Sequence, residues 1–351
     1  MPLTTTRAEL DRRFPIPPEI APTLATSEQN KFAVEFTKVR DFVERRLYAE
    51  EDKGVTPSAR GNAFLKAAIR SSLGKPLQDE DWFHETVARL LRRAWLSLSL
   101  GVYTKDISTC PDPAARLHLA QVNTVDLAWQ PAVSQPSGGL IVEIGTGRGN
   151  SVLRLARLLP DTRIVSIGIS RNQARTAEQL VTEMALPNVE IRCGDIYDPT
   201  VCADLVGQAD AVGAIEVTGH FPAERKQEGI GILAGLLKPG GSLSLIDRAV
   251  IDSRRPLSEH SANQGIFLDN RAGYLTALSM SGLTPEAFID YTADSLQTFI
   301  DTTKVLRRRR RELRAEFGWP LSLVWPAVPK YVHLPVSRQV QYAHIVGVKP
   351  A

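Results

Sequence analysis

Apolar positions along the chain recur at two periods, and the change from one to the other falls near residue 130. Phe32, Phe36, Val39, Val43 and Leu47 are spaced three or four apart, which predicts one amphipathic helix with Ser27 placed to cap it. The same spacing predicts helices over 62–72, over 79–98, where Trp82, Val87, Leu90, Leu91, Trp95 and Leu98 recur, and over 112–129. Residues 1–26 are proline-containing with little periodic apolar content and read as a mobile or surface-draped arm. Residues 131–139 read as a linker.

From Leu140 onward short apolar runs alternate with helical segments. Strands are expected at 140–144, 163–169, 189–192, 211–215, 242–246, 287–291 and 340–348. Helices are expected between them at 150–159, 172–184, 201–207, 224–237 and 271–281. Alternation of this kind predicts an α/β fold: a doubly wound, mostly parallel, seven-stranded sheet. The chain therefore divides into an N-terminal helical region, 1–130, and a sheet-bearing part, 131–351, with a basic cap helix at 293–316. The cap carries the arginine run 307–311, which reads first as a solvated helix face and second as a grip for a phosphate-bearing substrate.

Composition narrows the class without naming it. Apolar residues at 43% and charged residues at 23% describe a globular chain and exclude a disordered or fibrous one. A net charge of +3 on 351 residues gives no reason to expect a nucleic-acid or anionic-membrane surface. Cys110, Cys193 and Cys202 lack C-x-x-C spacing, which speaks against a disulfide framework and a cysteine zinc site and fits a reducing cytoplasm. His84, His118, His260, His333 and His344 have no metal-ligand spacing and are expected to be structural, so no metal is expected. The first twenty residues hold no apolar leader, and no stretch approaches the ~18 apolar residues of a membrane span.

The chemistry is carried by the strand over 140–144 running into Gly145-Thr146-Gly147-Arg148-Gly149 and then into a helix. Glycines let the backbone turn tightly and approach a ligand, and the helix start offers unpaired N–H groups. A dinucleotide fingerprint needs a small residue three after Gly147, where Asn150 stands, and no phosphate-loop G-x-x-x-x-G-K-[ST] occurs. What remains is Glu143-x-Gly145-x-Gly147-x-Gly149.

This segment resembles the first motif of class I S-adenosylmethionine-dependent methyltransferases, and later segments resemble the branch of that family typified by cyclopropane-fatty-acid synthases and small-molecule methyltransferases. Ser170-Arg171-Asn172-Gln173 is similar to its S-x-N-Q segment, Gly194-Asp195-Ile196 to its G-D segment, and Glu216 through His220 and Phe221 to its E-x-x-E-H-F segment. Leu237-Lys238-Pro239-Gly240-Gly241 is similar to its L-K-P-G-G turn, and Gly101-Val102-Tyr103 with Ala120-Gln121 to its lid helices. The resemblance spans about 95–350 and implies a Rossmann-like sheet and S-adenosyl-L-methionine as cofactor. It implies Glu143, Gly145, Thr146, Gly147 and Gly149 at the cofactor, Ser170 and Gln173 toward the ribose, Asp195 and Ile196 at the adenine, and Glu216 and His220 beside the reacting methyl.

Two departures bear on the reaction. Gly168 stands where most of the superfamily has an acid at the end of the second strand, which leaves more of the ribose contact to Gln173. Gly219 stands where the cyclopropane branch has a glutamate that holds a bicarbonate base, which favours plain methyl transfer over ring formation. His220 is the candidate general base, with a packing role as its alternative, and Glu216 either takes part in catalysis or orients the cofactor. Tyr103 and Tyr274 are candidates for the acceptor pocket, with ordinary packing the preferred reading.

The expectation is a cytoplasmic enzyme that methylates carbon or oxygen of a small molecule such as a secondary metabolite. Any self-association is expected through the N-terminal helices. Nucleic acid is disfavoured as substrate, because E-V-T-G-H-F stands where exocyclic-amine methyltransferases resemble one another in N-P-P-Y. The rival is a protein that keeps the fold and cofactor without methylating, working as a cyclase or binding module.

Overall fold

A computed structural model describes residues 3–72, 80–92, 94–135, 138–251, 266–338 and 340–351. Seven strands, β1 (Leu140–Ile144), β2 (Arg163–Gly168), β3 (Val189–Cys193), β4 (Ala209–Ile215), β5 (Leu237–Val250), β6 (Thr284–Asp290) and β7 (Val340–Val348), form one sheet. Their order is β3-β2-β1-β4-β5-β7-β6. All neighbours pair in parallel except β7, which is antiparallel to both β5 and β6. The mostly parallel sheet expected from the alternating pattern is what forms.

Successive residues of each strand serve opposite faces, so one strand feeds two cores. Ile141, Ile164, Ala211 and Ile246 belong to the first face, and Val142, Val165, Val212 and Leu245 to the second. Among the flanking helices are α1 (Arg7–Arg13), α2 (Thr26–Glu51), α3 (Pro57–Ser72), α4 (Glu80–Leu91), α5 (Pro113–Ala128), α6 (Asn150–Leu158), α7 (Arg171–Glu183), α8 (Lys226–Leu236) and α9 (Arg271–Met280). Leu117, Val152 and Leu180 place α5, α6 and α7 on the first core, which continues into α2 through Phe32, Phe36, Val43 and Leu47. Helices α8 and α9 cover the second core with Ile230, Leu233 and Leu278. Gly213 on β4 makes room for a large neighbour: a Cβ there would lie 2.4 Å from the ring of Trp129, which is 1% exposed.

One expectation is narrowed and two are corrected. Of the two readings of the first segment, mobile or surface-draped, residues 3–26 take the second and dock on the sheet-bearing part. Thr6 and Glu9 cap α1 reciprocally, Leu10 and Phe14 are buried, and the Thr4 backbone pairs with β6 at Ala287. The helix expected over 79–98 stops at Leu91, because the backbone beyond it is captured by side chains: Arg40 takes the Arg92 and Trp95 carbonyls, and Gln121 takes the Leu96 N–H. The cap is not one helix over 293–316. It is broken at Leu296 and Arg309 into Thr292–Ser295, α10 (Gln297–Arg308) and α11 (Arg310–Phe317), and Gly318, at φ +79°, turns the chain into α12 (Trp319–Val324). Asp301 of α10, fully buried, anchors this cap to α5 through Arg116, at 2.6 and 2.8 Å. Of the arginine run, Arg308 pairs with Asp112 at 3.0 Å and Arg310 donates to the Ser322 carbonyl at 3.2 Å. Among the described residues no helix is long and apolar enough to cross a membrane.

Candidate active site

The sheet order reverses between β1 and β4, and in open α/β sheets the crevice beyond the strand ends at such a reversal is where ligands bind. The glycine turn lies there. Gly145, Gly147 and Gly149 adopt φ of +88°, +50° and +83°, a region closed to most side chains. The turn is tied to the sheet by the Gly145 N–H on the Ile167 carbonyl at 2.7 Å and closed by the Gly149 N–H on the Thr146 carbonyl at 3.0 Å. Space separates the three glycines. A Cβ at Gly145 would stand 2.1 Å from Val217 Cγ2 and one at Gly149 2.7 Å from Leu153 Cδ1, whereas one at Gly147 meets nothing nearer than 3.9 Å. Gly147 is thus the open lip of the turn, and the other two let it pack.

Beneath the turn, Glu143 is 2% exposed and accepts from Ser166 Oγ at 2.6 Å, with Thr146 Oγ1 2.9 Å from the same hydroxyl. Burial pushes its carboxyl up to about 7, against the lowering effect of the Ser151 and Ser166 hydrogen bonds. Thr146 also explains Gly168: a Cβ there would meet Thr146 Oγ1 at 3.0 Å and its Cβ at 3.1 Å, so an acidic side chain would have to crowd past this threonine.

Ser170 and Gln173 follow β2 at the start of α7. Ser170 is 8% exposed, and its hydroxyl is buried without a hydrogen-bond partner among the described residues; Gln173 is half-buried. Both amide atoms of Asn150, the first residue of α6, are likewise buried and unpaired. Buried polar atoms are nearly always hydrogen-bonded, so three atoms unpaired among the described residues leave hydrogen-bonding capacity open beside the turn. After β3, Asp195 is exposed and accepts the Tyr197 N–H at 2.9 Å, while Ile196 is buried beside it.

The loop after β4 forms the opposite wall. Glu216 holds a φ of +54°, and its carboxylate accepts the Leu100 N–H at 2.7 Å and lies 3.4 Å from the Arg248 guanidinium. Burial raises its pKa, and Arg248 partly offsets this. Thr218 and the Gly219 N–H both donate to Asp247 Oδ2, at 2.6 and 3.1 Å, which pins the 3-10 turn Thr218–His220. His220 is exposed at the end of that turn. Tyr274 is buried, 3.1 Å from Thr218 Oγ1, and Tyr103 donates to buried Asp301 at 3.2 Å, so both take packing positions.

Sequence reasoning missed several residues that shape these walls. Gln121 is fully buried and spends its amide on the Leu96 N–H and the Ser97 and Ser99 carbonyls, at 2.7, 3.0 and 2.7 Å, which sets the strip leading to Leu100. Asp247 and Asn150 carried no motif either. Only Gln121 had a signal, the Ala120-Gln121 pair, and nothing in that pair announces a clamp.

This sheet, with its single reversed strand β7 and a glycine turn closing β1, defines the class I methyltransferase fold. Within it, residues 141–241 match the family model described as a methyltransferase domain. Solved structures of similar fold include the (4+2)-cyclase SpnF, at 18% identity and a TM-score of 0.62, covering 79% of this chain and 97% of that one. A cyclopropane synthase from Mycobacterium tuberculosis matches at 15% identity and a TM-score of 0.63, over 74% and 93% of the two chains. Geranyl diphosphate C-methyltransferase from Streptomyces coelicolor A3(2) matches at 19% identity and a TM-score of 0.55, over 72% and 86%. No curated protein matches by sequence.

Proposed function

We propose that this protein is an S-adenosyl-L-methionine-dependent methyltransferase whose acceptor is a small organic molecule, methylated at carbon or oxygen. The observation that carries the reading is the cradle itself: an open left-handed glycine at 147, flanked by the unpaired buried groups of Ser170 and Asn150, at the point where the sheet reverses. The match of 141–241 to a methyltransferase domain supports it, as do similar structures crystallised with S-adenosylhomocysteine or S-adenosylmethionine.

When bound, the cofactor supplies a methyl group activated on a sulfonium. The protein's part is to bind, align and exclude water. Glu143, Gly145, Thr146, Gly147 and Gly149 receive the amino-acid end, Ser170 and Gln173 the ribose, and Asp195 with Ile196 the adenine. Glu216 acts by holding Leu100 and so the wall facing the turn. His220, exposed on a pinned turn, accepts the acceptor's proton where one must leave. At Gly219 a Cβ would meet Leu268, Asp247 and Ile266 at 3.5–3.6 Å, so the position is enclosed and carries no carboxylate of its own, which supports transfer over ring closure.

Calorimetry with S-adenosylhomocysteine tests the cofactor, and transfer of label from methyl-labelled cofactor into a small-molecule pool tests the reaction. The fold likeness to a (4+2)-cyclase keeps the second reading specific. Cofactor bound tightly with no label transferred to any acceptor would favour a cyclase or binding role.

A further inference from the structure

The N-terminal helices contribute residues to the geometry of the cleft. Helix α2 presents Arg40, Glu44 and Tyr48 at successive i, i+4 positions, hence on one face. This stripe is buried: Arg40 is 2% exposed, Glu44 0% and Tyr48 7%.

Glu44 and Arg40 reach different walls of the cleft, and Tyr48 packs against the arginines of the same network. Glu44 Oε1 receives Nη1 of Arg148, the non-glycine residue between Gly147 and Gly149, and Glu85 of α4 takes the other Nη at 2.8 Å. Tyr48 donates to Glu85 at 3.2 Å and lies under the guanidiniums of Arg89, Arg92 and Arg148, 3.9, 5.0 and 5.8 Å from its ring centroid. Arg40 donates to the Arg92, Trp95 and Leu96 carbonyls at 3.0, 2.8 and 3.3 Å, the stem of the strip whose far end, Leu100, is held by Glu216. Arg92 extends the network from Glu44, at 3.4 Å, to Glu316 of α11, at 2.9 Å. Burial pushes the Glu44 carboxyl up, but Arg148, Arg40 and Arg92 outweigh it and hold the group below the ordinary carboxylate range, so it is ionised.

A turn with three left-handed glycines has little stiffness of its own. Arg148 gives it a fixed point outside the sheet, and the same helix face fixes the opposing strip. We infer that the Arg40-Glu44-Tyr48 face of α2 is a clamp that sets the separation of the glycine turn from the 95–100 strip, with Arg148 and Glu44 as positioning residues for the nucleoside cofactor. Because linkage is reciprocal, nucleoside binding in turn tightens the docking of α2. The inference rests on the cofactor reading proposed above.

The test compares wild type with Glu44→Gln, Arg148→Met and the double variant Glu44→Gln/Arg148→Met, with S-adenosylhomocysteine as probe. Removing one member of a buried pair strands a charge and lowers stability, whereas removing both keeps the network's charge balance and leaves Glu85 with Tyr48, Arg40 with its carbonyls and Arg92 with Glu316. Purely structural residues would therefore regain affinity in the double variant along with its melting temperature. A clamp predicts that the double variant regains stability but still binds about tenfold or more weakly, within the usual range of coupling between linked sites. It also predicts that the nucleoside slows amide exchange over 40–48 in wild type and not in Arg148→Met, which remains readable should the double variant fold poorly. Wild type that binds the nucleoside, with a stable double variant binding equally well or unchanged exchange over 40–48, overturns the clamp alone. Wild type that binds no nucleoside overturns the cofactor reading and the clamp with it.

Discussion

Glu216 reaches Leu100: a carboxylate at the end of β4, on a backbone at φ +54°, accepts the N–H of the strip facing it at 2.7 Å. A non-glycine residue in the left-handed region costs on the order of 1–3 kcal/mol and persists where the surroundings need its side chain. Here the need is the strip. Glu216→Gly should relieve the strain and release Leu100 together, giving a protein melting no lower than wild type but binding S-adenosylhomocysteine about tenfold or more weakly, the scale of a lost hydrogen bond to a charged group. Melting curves beside calorimetry check this. A variant as strong in binding as wild type would leave the strained glutamate unexplained.

Gly145 and Gly147 are two residues apart and should fail differently. Alanine at 145 drives a Cβ to 2.1 Å from Val217, so the turn and the β4 loop must part and the nucleoside site is lost; Val217→Ala should recover part of the binding. Alanine at 147 meets open space and suffers only its positive φ, worth ~1–2 kcal/mol. Leucine at 147 fills the lip and should abolish binding with the circular dichroism spectrum intact. Equal behaviour at the two positions would mean that the turn does not face the ligand.

The sheet was readable in the sequence because strand periodicity is local, and the glycine- and proline-marked boundaries around 140–241 carry their own backbone chemistry. The turn at 145–149 was readable for the same reason. What escaped depended on partners far along the chain. Phe32, Phe36, Val43 and Leu47 announced a buried face of α2, but Arg40 and Glu44 on the adjoining stripe look solvent-facing until Arg148, a hundred residues later, is placed against them. Leu10 and Phe14 gave too short a pattern to reveal that the first segment docks on β6. The break at Arg309 inside the expected cap helix has no sequence breaker; the two pieces pack on different neighbours, α10 on α5 and α11 on α3 and α12.

Glu143 makes the protein's stability depend on pH with a sign that can be worked out. Its carboxyl ordinarily titrates at 4.5, and burial raises it to about 7 in the folded state. Between those values the folded state binds more protons than the unfolded one, so stability falls as pH rises through the window and levels off above it. At ~1.4 kcal/mol per unit the loss is roughly 3 kcal/mol. Glu143→Gln has no proton to lose and should gain on wild type steadily from pH 5 to pH 7.5 in urea unfolding. A difference between the two that stays constant across pH would place the group's titration elsewhere.

His220 is where the reading of the reaction is most exposed to test. Its turn is fixed by Asp247 through Thr218 and Gly219, so the residue is presented from a rigid base, and it is exposed. A general base contributes ~10²–10⁴-fold. His220→Gln should lower turnover by that order on an acceptor that must lose a proton, and calorimetry with S-adenosylhomocysteine run beside it separates a loss of chemistry from a loss of cofactor. The pH dependence separates base from bystander. Wild-type turnover should carry a pH-dependent step that the variant's lacks. Full turnover by the variant at every pH would remove His220 from the chemistry and leave alignment in the cleft as the whole of catalysis.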